Sequence, residues 1–359
     1  MCIKFDCMPK VTIQDIANEL GLSRNTVSKA LNNKGLITDS TRDAILKKAA
    51  EMGYKLFAFQ NTMAKENASV QSEKKELVLL TGTALGSLHF AAKMLDEMQT
   101  EALMLGYGFT MYRVMPQERE ELRLPVNFNA KRVAGIFCVE MFDIAYSQML
   151  CSLGIPVLFI DTAVNLEQKP LAADLLLMEN RSGIYTFIKE MVSRGQKDFG
   201  FVGEALHCMS FYERYDAFMG AIRLFGMEYH PEWCFTGNSH GINYPSHSDY
   251  IAYLEDKFSN CESFPSVLIC ANDFVAMDVI QVLKKIGKSV PQDVLLCGFD
   301  DSPESRIISP SLTTIHIKGQ AMGSAAINLL FSRIKNPDSP FRTLYIETNI
   351  VYRESTEGY

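Results

Sequence analysis

A short segment near the start of the chain carries side chains that could hydrogen-bond to an extended polar partner. Its sequence is SRNTVSKAL, residues 23–31. The apolar residues recur three and four positions apart, so in a helix they share one side and leave the polar residues on the other. These polar residues are Arg24, Asn25, Ser28 and Lys29. Because arginine and lysine bind guanine or phosphate and asparagine pairs with adenine, the segment has the groups that contact base edges in a duplex.

Hydroxyl groups lie close to this segment along the chain. Thr12, Ser23, Thr26 and Ser28 can each hold a phosphate oxygen, with the hydroxyl or through the free N–H groups of a helix start. The alternative interpretation is a small helical bundle with a polar face and no nucleic acid, in which these residues only cap helices. The spacing of the residues leaves both interpretations open.

A second candidate for chemistry is the carboxylate pair Asp300–Asp301, which could serve acid–base catalysis or metal binding. No phosphate-binding glycine loop, nucleophile elbow or zinc-protease motif accompanies it. The nine cysteines are scattered without a C-x-x-C pair. His230, His240 and His247 lie in a polar loop rich in Gly, Asn and Ser, without metal-ligand spacing. We therefore expect no enzyme activity, no metal and no cofactor, with one carboxylate of the pair near a ligand or helix cap and the other structural.

The first fifty residues predict three short helices. Thr12 begins a capping box at the first helix, Gly21 ends that helix where a positive φ is needed, and Ser23 caps the second. A third helix begins near residues 38–40 and ends at Gly53. Two short helices joined by a tight glycine-containing turn form a helix-turn-helix unit. The second helix of such a unit is slim enough to enter the major groove of DNA.

From residue 77 onward, short apolar runs alternate with amphipathic segments. This alternation predicts parallel sheets with helices on both faces, because strands buried on both sides have continuous apolar sequences. A body of this length exceeds one compact core, so we expect two subdomains. The predicted strands are 77–80, 109–113, 135–139, 157–161, 199–202, 267–270 and 294–298, and the predicted helices are 88–105, 183–193, 211–225 and 274–286.

Charge is distributed unevenly along the chain. Residues 1–75 hold 12 Lys and Arg against 8 Asp and Glu, whereas the rest of the chain holds 23 against 34. A basic head on an acidic body favours a nucleic-acid partner for the head. The sequence contains no run of about 18 apolar residues, and no apolar signal segment follows its start. We therefore expect a cytoplasmic protein without a membrane partner.

Several motifs of the chain resemble those of the lactose repressor/galactose repressor (LacI/GalR) family. In the head they are VTIQDIA at 11–17, GLS at 21–23 and TVSKALN at 26–32. In the body they are CAND at 270–273, VPQDV at 290–294, GFDD at 298–301 and PSLTTI at 310–315. Because separate motifs agree in order over nearly the whole chain, the resemblance favours the DNA-binding interpretation of the head.

The resemblance implies a symmetric homodimer on a near-palindromic double-stranded operator, with one head on each half-site. It also implies a hinge helix whose apolar side chain enters the minor groove. The further DNA contacts are Asn32, Thr38, Thr41, Tyr54 and, in the hinge, Met63. The hinge departs from the family pattern, with Leu56 and Phe57 for the usual Pro-Asn and Gln60 for the usual alanine. Two interpretations follow: Met63 wedges between base pairs, or the apolar hinge packs on the body.

The resemblance further implies a body like a periplasmic sugar-binding protein, with a ligand in the cleft between two α/β subdomains. The residues that it assigns to the ligand are Asp161, Arg214, Asn272 and Asp300, and Phe90, which stands where the family has paired phenylalanines, is a candidate ring partner. Three of them follow predicted strands, and ligands bind open α/β sheets at the carboxyl ends of strands. Planar polar groups take paired sugar hydroxyls, and a ring takes the apolar face of the sugar. The alternatives are cap or loop roles for these side chains, and a nucleobase or a partner protein as the ligand.

The expected fold is an all-α helix-turn-helix head and an α/β body of two doubly wound parallel-sheet subdomains. Closure of the cleft would rotate one subdomain against the other, so that operator affinity responds allosterically to a small molecule. An inducer and a corepressor fit this scheme equally well. The C-terminal residues 353–359 show no leucine heptad, which favours a dimer over a tetramer. The expected boundaries are 1–56 for the DNA-binding domain, 57–75 for the hinge and linker, 76–177 with 310–336 for the first subdomain, and 178–309 with 337–359 for the second.

Overall fold

The chain divides into two compact units, which we call the head and the body. The computed structural model describes residues 11–31, 37–52, 75–83, 91–166, 170–237 and 247–357 of the 359-residue chain. The head falls within residues 1–73 and the body within residues 74–359.

The described part of the head consists of α1 (Ile13–Leu20), α2 (Arg24–Leu31) and α3 (Asp39–Glu51). The predicted capping box at α1 is confirmed, since the Thr12 N–H donates to Asp15 Oδ2 at 2.8 Å and the Thr12 hydroxyl accepts from the Asp15 N–H at 3.4 Å. Gly21 follows α1 with a φ of 64°, a conformation that is costly for residues with a Cβ. The chain can therefore turn from α1 into α2 over three residues, as predicted.

Apolar side chains from the three helices meet in one core. The buried members of this core are Ile16, Ala17, Val27, Ala30, Ile45 and Ala49. Because Val27 and Ala30 are fixed in the core, the rotation of α2 about its axis is fixed as well. The core thereby determines which side of α2 faces outward.

The elements of the body alternate along the chain. Its strands are β1 (Glu76–Thr81), β2 (Gly108–Arg113), β3 (Val133–Val139), β4 (Val157–Ile160), β5 (Asp174–Met178), β6 (Phe199–Val202), β7 (Cys234–Phe235), β8 (Val267–Cys270), β9 (Leu295–Asp300), β10 (Thr313–Ile317), β11 (Thr343–Ile346) and β12 (Thr348–Val351). Its helices are α4 (Ala92–Met104), α5 (Pro116–Glu120), α6 (Ile144–Cys151), α7 (Ser182–Ser193), α8 (Met209–Leu224), α9 (His247–Ser259), α10 (Asp273–Lys285) and α11 (Gly319–Lys335).

Two six-stranded sheets organise the body, one in each subdomain. The first has the order β11-β5-β4-β3-β1-β2, and all of its neighbouring strands are parallel. The second has the order β12-β10-β9-β8-β6-β7, in which only the edge strand β12 is antiparallel to its neighbour. The predicted fold class, two doubly wound parallel-sheet subdomains, is confirmed.

The chain passes between the two subdomains three times. The first passage leads from β5 into α7, which packs on α8 and β12 of the second subdomain. The second lies between β10 and α11, since α11 packs on α4 and on strands of the first sheet. The third lies between β11 and β12, which belong to different sheets.

The predicted subdomain boundaries are wrong at two places in the last fifty residues. We expected residues 310–336 in the first subdomain and 337–359 in the second, but β10 lies in the second sheet and β11 in the first. The passages at Lys318 and Glu347 are each a single residue between two regular elements. Such short passages lack the Gly, Pro, Asn and Ser clusters that mark a loop. The short strands beside them have no sequence feature that indicates to which of the two sheets they belong.

A second correction concerns residues 230–262, the polar stretch in which we expected His230, His240 and His247 to lie in a loop. Most of its second half is the helix α9, which begins at His247. Tyr250, Ile251, Leu254 and Phe258 of this helix are buried, and their spacing of three and four positions is helical. Polar residues between these positions obscured the pattern. None of the described helices is long and apolar enough to span a membrane.

Candidate DNA-binding face and effector cleft

The helix α2 presents a polar side outward. Arg24, Asn25 and Lys29 are exposed, Thr26 and Ser28 are half-buried, and the opposite side of the helix lies in the head core. The three exposed side chains include two cations and one amide, the groups suited to phosphate and base edges. An unobstructed face of this kind is what a major-groove helix requires of its own domain.

Several of the hydroxyls that we expected to contact DNA form hydrogen bonds at helix starts. Ser23 Oγ accepts a backbone N–H of α2 at 3.1 Å, and the Thr12 hydroxyl donates to Asp15 Oδ2 at 2.7 Å. The hydroxyls of Thr38 and Thr41 lie 2.8 Å apart at the start of α3. Thr12, Ser23 and Thr38 are nevertheless exposed. They stand at helix N-termini, where N–H groups attract anions.

Part of the predicted site lies outside the described residues. This holds for the DNA contacts Asn32, Tyr54 and Met63, the hinge residues Leu56, Phe57 and Gln60, and the ring candidate Phe90.

The other four predicted ligand residues line one cavity of about 120 Å³. We call this cavity the inner chamber. Asp161 follows β4 of the first subdomain, whereas Arg214 lies in α8, Asn272 precedes α10, and Asp300 ends β9 of the second. The chamber therefore lies between the subdomains, at the carboxyl ends of parallel strands.

Arg214 is held firmly in this chamber, with only 3% of its surface exposed. Its Nε donates to Asn180 Oδ1 at 2.9 Å, and its Nη1 donates to the carbonyl oxygen of Ala271 at 2.7 Å. The guanidinium carbon lies 3.5 Å from the centroid of the Phe299 ring. Nη1 also lies 3.7 Å from Asp300 Oδ1, an ion pair longer than a direct hydrogen bond. The planar donor group is thus fixed before any ligand arrives.

Asp161 connects the two subdomains. Its Oδ1 accepts the N–H of Thr162 at 2.8 Å and the N–H of Ser210 at 3.2 Å. The N–H of Met209 donates to the carbonyl oxygen of Thr162 at 2.7 Å. Met209 and Ser210 begin α8, so the first turn of a helix in one subdomain is bound to a carboxylate and a carbonyl of the other. Burial raises the pKa of Asp161, and the hydrogen bonds only partly oppose this.

Two further carboxyl groups line the inner chamber, Asp300 and Glu140. Burial raises the pKa of Asp300 well above its usual value, although the Arg214 guanidinium acts in the opposite direction. Glu140 accepts a hydrogen bond from the Thr83 hydroxyl at 2.5 Å, and burial raises its pKa too. The chamber therefore presents three carboxyl groups and one guanidinium to its contents.

For Asn272 and Asp301, the structure distinguishes a position in the chamber wall from a cap or framework role. Asn272 Oδ1 accepts a backbone N–H of α10 at 2.9 Å, so this side chain caps a helix and also lines the chamber. Asp301 accepts from Arg306 at 2.6 Å and from Arg353 at 2.5 Å and is not among the lining residues. The Asp300–Asp301 pair is therefore divided between the chamber and the framework. In the part of the chain that the structure describes, no three His, Cys, Asp or Glu side chains are grouped as metal ligands.

Aromatic residues that the sequence did not single out line the inner chamber as well. The ring of His207 lies 5.1 Å from that of Phe142 and 5.2 Å from that of Phe211, with Phe274 nearby in the wall. Phe142 belongs to the first subdomain and His207 to the second, so their rings meet across the cleft. Burial lowers the pKa of His207 to about 4, so the ring is neutral at pH 7. Phe142, His207 and Phe274 stand within a few residues of predicted strand ends, which is the signal that could have found them.

Comparisons with known proteins agree with both units. Residues 12–55 match the family described as bacterial regulatory proteins, lacI family, and residues 188–356 match a periplasmic binding protein-like domain. The HTH-type transcriptional repressor PurR of Mannheimia succiniciproducens is 26% identical over 350 residues, covering 96% of this chain and 98% of that protein.

Two solved structures show the same fold. The transcriptional regulator CelR in complex with cellobiose has a TM-score of 0.65 at 22% identity, covering 96% of this chain and all of that one. The lac repressor dimer bound to operator and the anti-inducer ONPF has a TM-score of 0.63 at 20% identity, covering 97% and 99%.

A helix-turn-helix head joined to a two-subdomain body with a ligand-type cleft defines a class of protein, the DNA-binding transcription regulators that carry an effector domain. Its two domains are those of the lactose repressor/galactose repressor (LacI/GalR) family of transcription regulators: a lacI-family DNA-binding head at residues 12–55 and a periplasmic-binding-protein-like domain at residues 188–356.

Proposed function

We propose that the protein is a homodimeric, cytoplasmic repressor without catalytic activity, whose operator affinity is set by a neutral carbohydrate bound in the inner chamber. The observation that carries this proposal is the convergence of Asp161 from one subdomain with Arg214, Asn272 and Asp300 from the other on one cavity. A molecule that contacts both walls of a cleft has a different affinity for its open and closed forms, and this is the requirement for control by population shift.

The DNA side of the proposal rests on α2. We assign base contacts to Arg24, Asn25 and Lys29, which are exposed. Half-buried Thr26 and Ser28 and the helix-start hydroxyls of Thr12, Ser23, Thr38 and Thr41 are assigned to phosphates; Asn32, Tyr54 and Met63 remain assigned by resemblance. A dimer would place two such helices on the two halves of an operator. The operator-bound dimer among the structural relatives supports this arrangement.

The charges of the inner chamber argue for an uncharged effector. Glu140, Asp161 and Asp300 face a single guanidinium, that of Arg214. A phosphorylated or carboxylated ligand would have to keep these carboxyl groups protonated, because like charges placed side by side in a binding site cost several kcal/mol. Hydroxyl groups can donate to carboxylates and accept from protonated carboxyls and from the guanidinium. A polyhydroxylated neutral ring therefore satisfies the chamber better than an anion.

The coupling proposal rests on the bonds between Asp161–Thr162 and the start of α8. Any change in cleft width must lengthen or shorten the contacts of Ser210 and Met209 with them. A carbohydrate that bridges the cleft would replace or support these bonds. It would shift the protein toward one of two arrangements that differ in their fit to operator DNA.

An electrophoretic mobility shift with the DNA immediately upstream of the protein's own gene tests the proposal. We expect a specific complex at physiological salt. The protein concentration that shifts half of the DNA should change when a neutral carbohydrate is added from a panel of mono- and disaccharides. The direction of the shift distinguishes an inducer from a corepressor. The alternative ligand class is a nucleobase, for which guanine and hypoxanthine are the probes. A shift caused by either of them, with no effect from any carbohydrate, would contradict the carbohydrate assignment and leave the repressor assignment intact.

A further inference from the structure

A second cavity of about 250 Å³ adjoins the inner chamber. We call it the outer chamber. The two share four wall residues, which are His207, Phe211, Asn272 and Phe274. Sites for drug-sized ligands typically measure about 300–1,000 Å³. Neither chamber reaches that size alone, whereas the two together do.

The outer chamber has walls of the kind that bind a sugar ring. Phe274, Tyr250 and Phe211 supply aromatic surface, which suits the apolar face of a pyranose. His247 Nε2 lies 2.8 Å from Asp278 Oδ1, so an imidazole and a carboxyl group form one polar pair in the wall. Such a pair can bind neighbouring ligand hydroxyls, because the second carboxyl oxygen of Asp278 and the second ring nitrogen of His247 are not used in their mutual hydrogen bond.

The two packed helices α9 and α10 place these groups. Phe274 and Asp278 are four positions apart in α10, and His247 and Tyr250 are three positions apart in α9, so each pair shares one side of its helix. Asp278 is only 16% exposed, whereas His247 is 72% exposed at the rim. The outer chamber is therefore part of the folded framework of the second subdomain, with a polar group held inside it.

We propose that the outer chamber is a second ligand subsite, and that the effector is a neutral disaccharide or a molecule of similar size with one ring in each chamber. The inference rests on the proposed function, because the inner chamber must first bind a carbohydrate. Asp278 and His247 then select for the second ring, while Arg214 and Asp300 hold the first.

Isothermal titration of the full-length protein with matched pairs tests this. The pairs are glucose with cellobiose, maltose and trehalose, galactose with lactose and melibiose, and xylose with xylobiose. We expect one disaccharide to bind at least tenfold more tightly than its component monosaccharide. Asp278→Asn should weaken that disaccharide about 10- to 100-fold, the effect of losing a hydrogen bond to a charged group, and leave the monosaccharide nearly unchanged.

Two controls accompany this experiment. Asp256→Asn makes the same chemical change on an exposed position of α9 and should change neither affinity. His247→Ala removes an exposed partner of the pair, so it tests the subsite even if Asp278→Asn impairs folding.

The possible results separate the two proposals. Equal affinity for monosaccharides and disaccharides, or equal losses for both in Asp278→Asn and His247→Ala, would overturn the second subsite and leave the carbohydrate assignment standing. Binding of the nucleobases guanine or hypoxanthine, titrated alongside the sugars, with no binding of any carbohydrate would overturn both. Absence of binding by every compound in the panel would likewise overturn both.

Discussion

Arg214 shows how a buried charge can be prepared for a ligand. Its bonds to Asn180 and to the Ala271 carbonyl hold one part of the guanidinium, and the Phe299 ring covers its face. The 3.7 Å distance to Asp300 is too long for a direct hydrogen bond between the two. A pair of ligand hydroxyls placed between the guanidinium and the carboxyl group would complete the hydrogen bonding of both groups. Because the framework fixes the donors in advance, little ordering is required when the ligand binds.

Arg214→Ala should therefore abolish the rise in melting temperature that a bound carbohydrate produces, while specific operator binding is retained. The measurement is a thermal-shift titration beside a mobility shift on the same preparation. Arg223→Ala, an exposed position of the same helix, is the matched control and should preserve the response. A full ligand response in Arg214→Ala would remove this residue from the site.

Glu204 predicts a pH dependence of stability. It is 6% exposed, its Oε1 has no hydrogen-bond partner, and burial raises its pKa to about 7. In the unfolded chain, this residue has the pKa of a glutamate in model peptides, about 4.3. Between these values the folded protein binds more protons, so this residue's contribution to stability falls as the pH rises.

Glu204→Gln stays neutral and should remove that contribution. We expect melting temperatures close to the parent at pH 5 and higher than the parent at pH 8, measured by circular dichroism across the range. Glu262→Gln, at an exposed site, should follow the parent throughout. A constant difference between parent and Glu204→Gln over pH 5–8 would contradict a raised pKa.

At the scale of elements, the two sides of α2 have different roles. The side with Val27 and Ala30 fixes the helix in the head core, and we propose that the exposed side carries the sequence specificity. Asn25→Ala should weaken specific operator binding by about 1–3 kcal/mol, roughly 5- to 150-fold, with little effect on non-specific binding. Anisotropy titrations with operator and with scrambled duplex at fixed salt measure both.

Asn18→Ala, an exposed asparagine of α1, is the control for Asn25→Ala. Equal losses on operator and scrambled duplex for Asn25→Ala would mean that Asn25 contacts no base.

Local spacing predicted most of the elements but not all of them. The helices α1, α2 and α3 and the strands β1–β4, β6, β8 and β9 follow from caps, glycines and continuous apolar runs, whereas the buried strands β5 and β10 and the helix α11 were not predicted. The helix α9 was missed because its apolar side, with Tyr250 and Leu254, is narrow and its other residues are polar. The signal for a helix weakens where only one narrow side is buried.

At the scale of the whole molecule, a chain of bonds joins two passages between the subdomains to the inner chamber. Tyr345 of β11 donates to Glu213 Oε1 at 2.6 Å, and Asn180 after β5 donates to Glu213 Oε2 at 2.8 Å. Asn180 also accepts from Arg214. Arg214, which we propose contacts the ligand, is thus connected by hydrogen bonds to two of the passages between the subdomains.

Tyr345→Phe should cost about 1 kcal/mol of stability, the value of one hydrogen bond. We also expect it to reduce the factor by which the carbohydrate changes operator affinity, while the affinity for the carbohydrate changes little. Operator titrations with and without the disaccharide that gives the largest thermal shift measure this factor. Tyr352→Phe serves as the control, and an unchanged factor in Tyr345→Phe would show that the bond plays no part in coupling.

The sequence by itself determined what depends on neighbours along the chain. Helix caps, the outward side of α2, the alternation of strands with helices and the polar residues at strand ends all arise from interactions over a few residues, so their patterns are visible in the order of the amino acids.

Only the tertiary structure decided which distant residues meet. It placed β10 and β11 in opposite sheets from those expected, brought Phe142 against His207 across the cleft, and joined the inner chamber to the outer one. Such pairings depend on the order of strands within two similar parallel sheets, and several orders would bury the same apolar runs equally well. The packing of the complete chain selects among them.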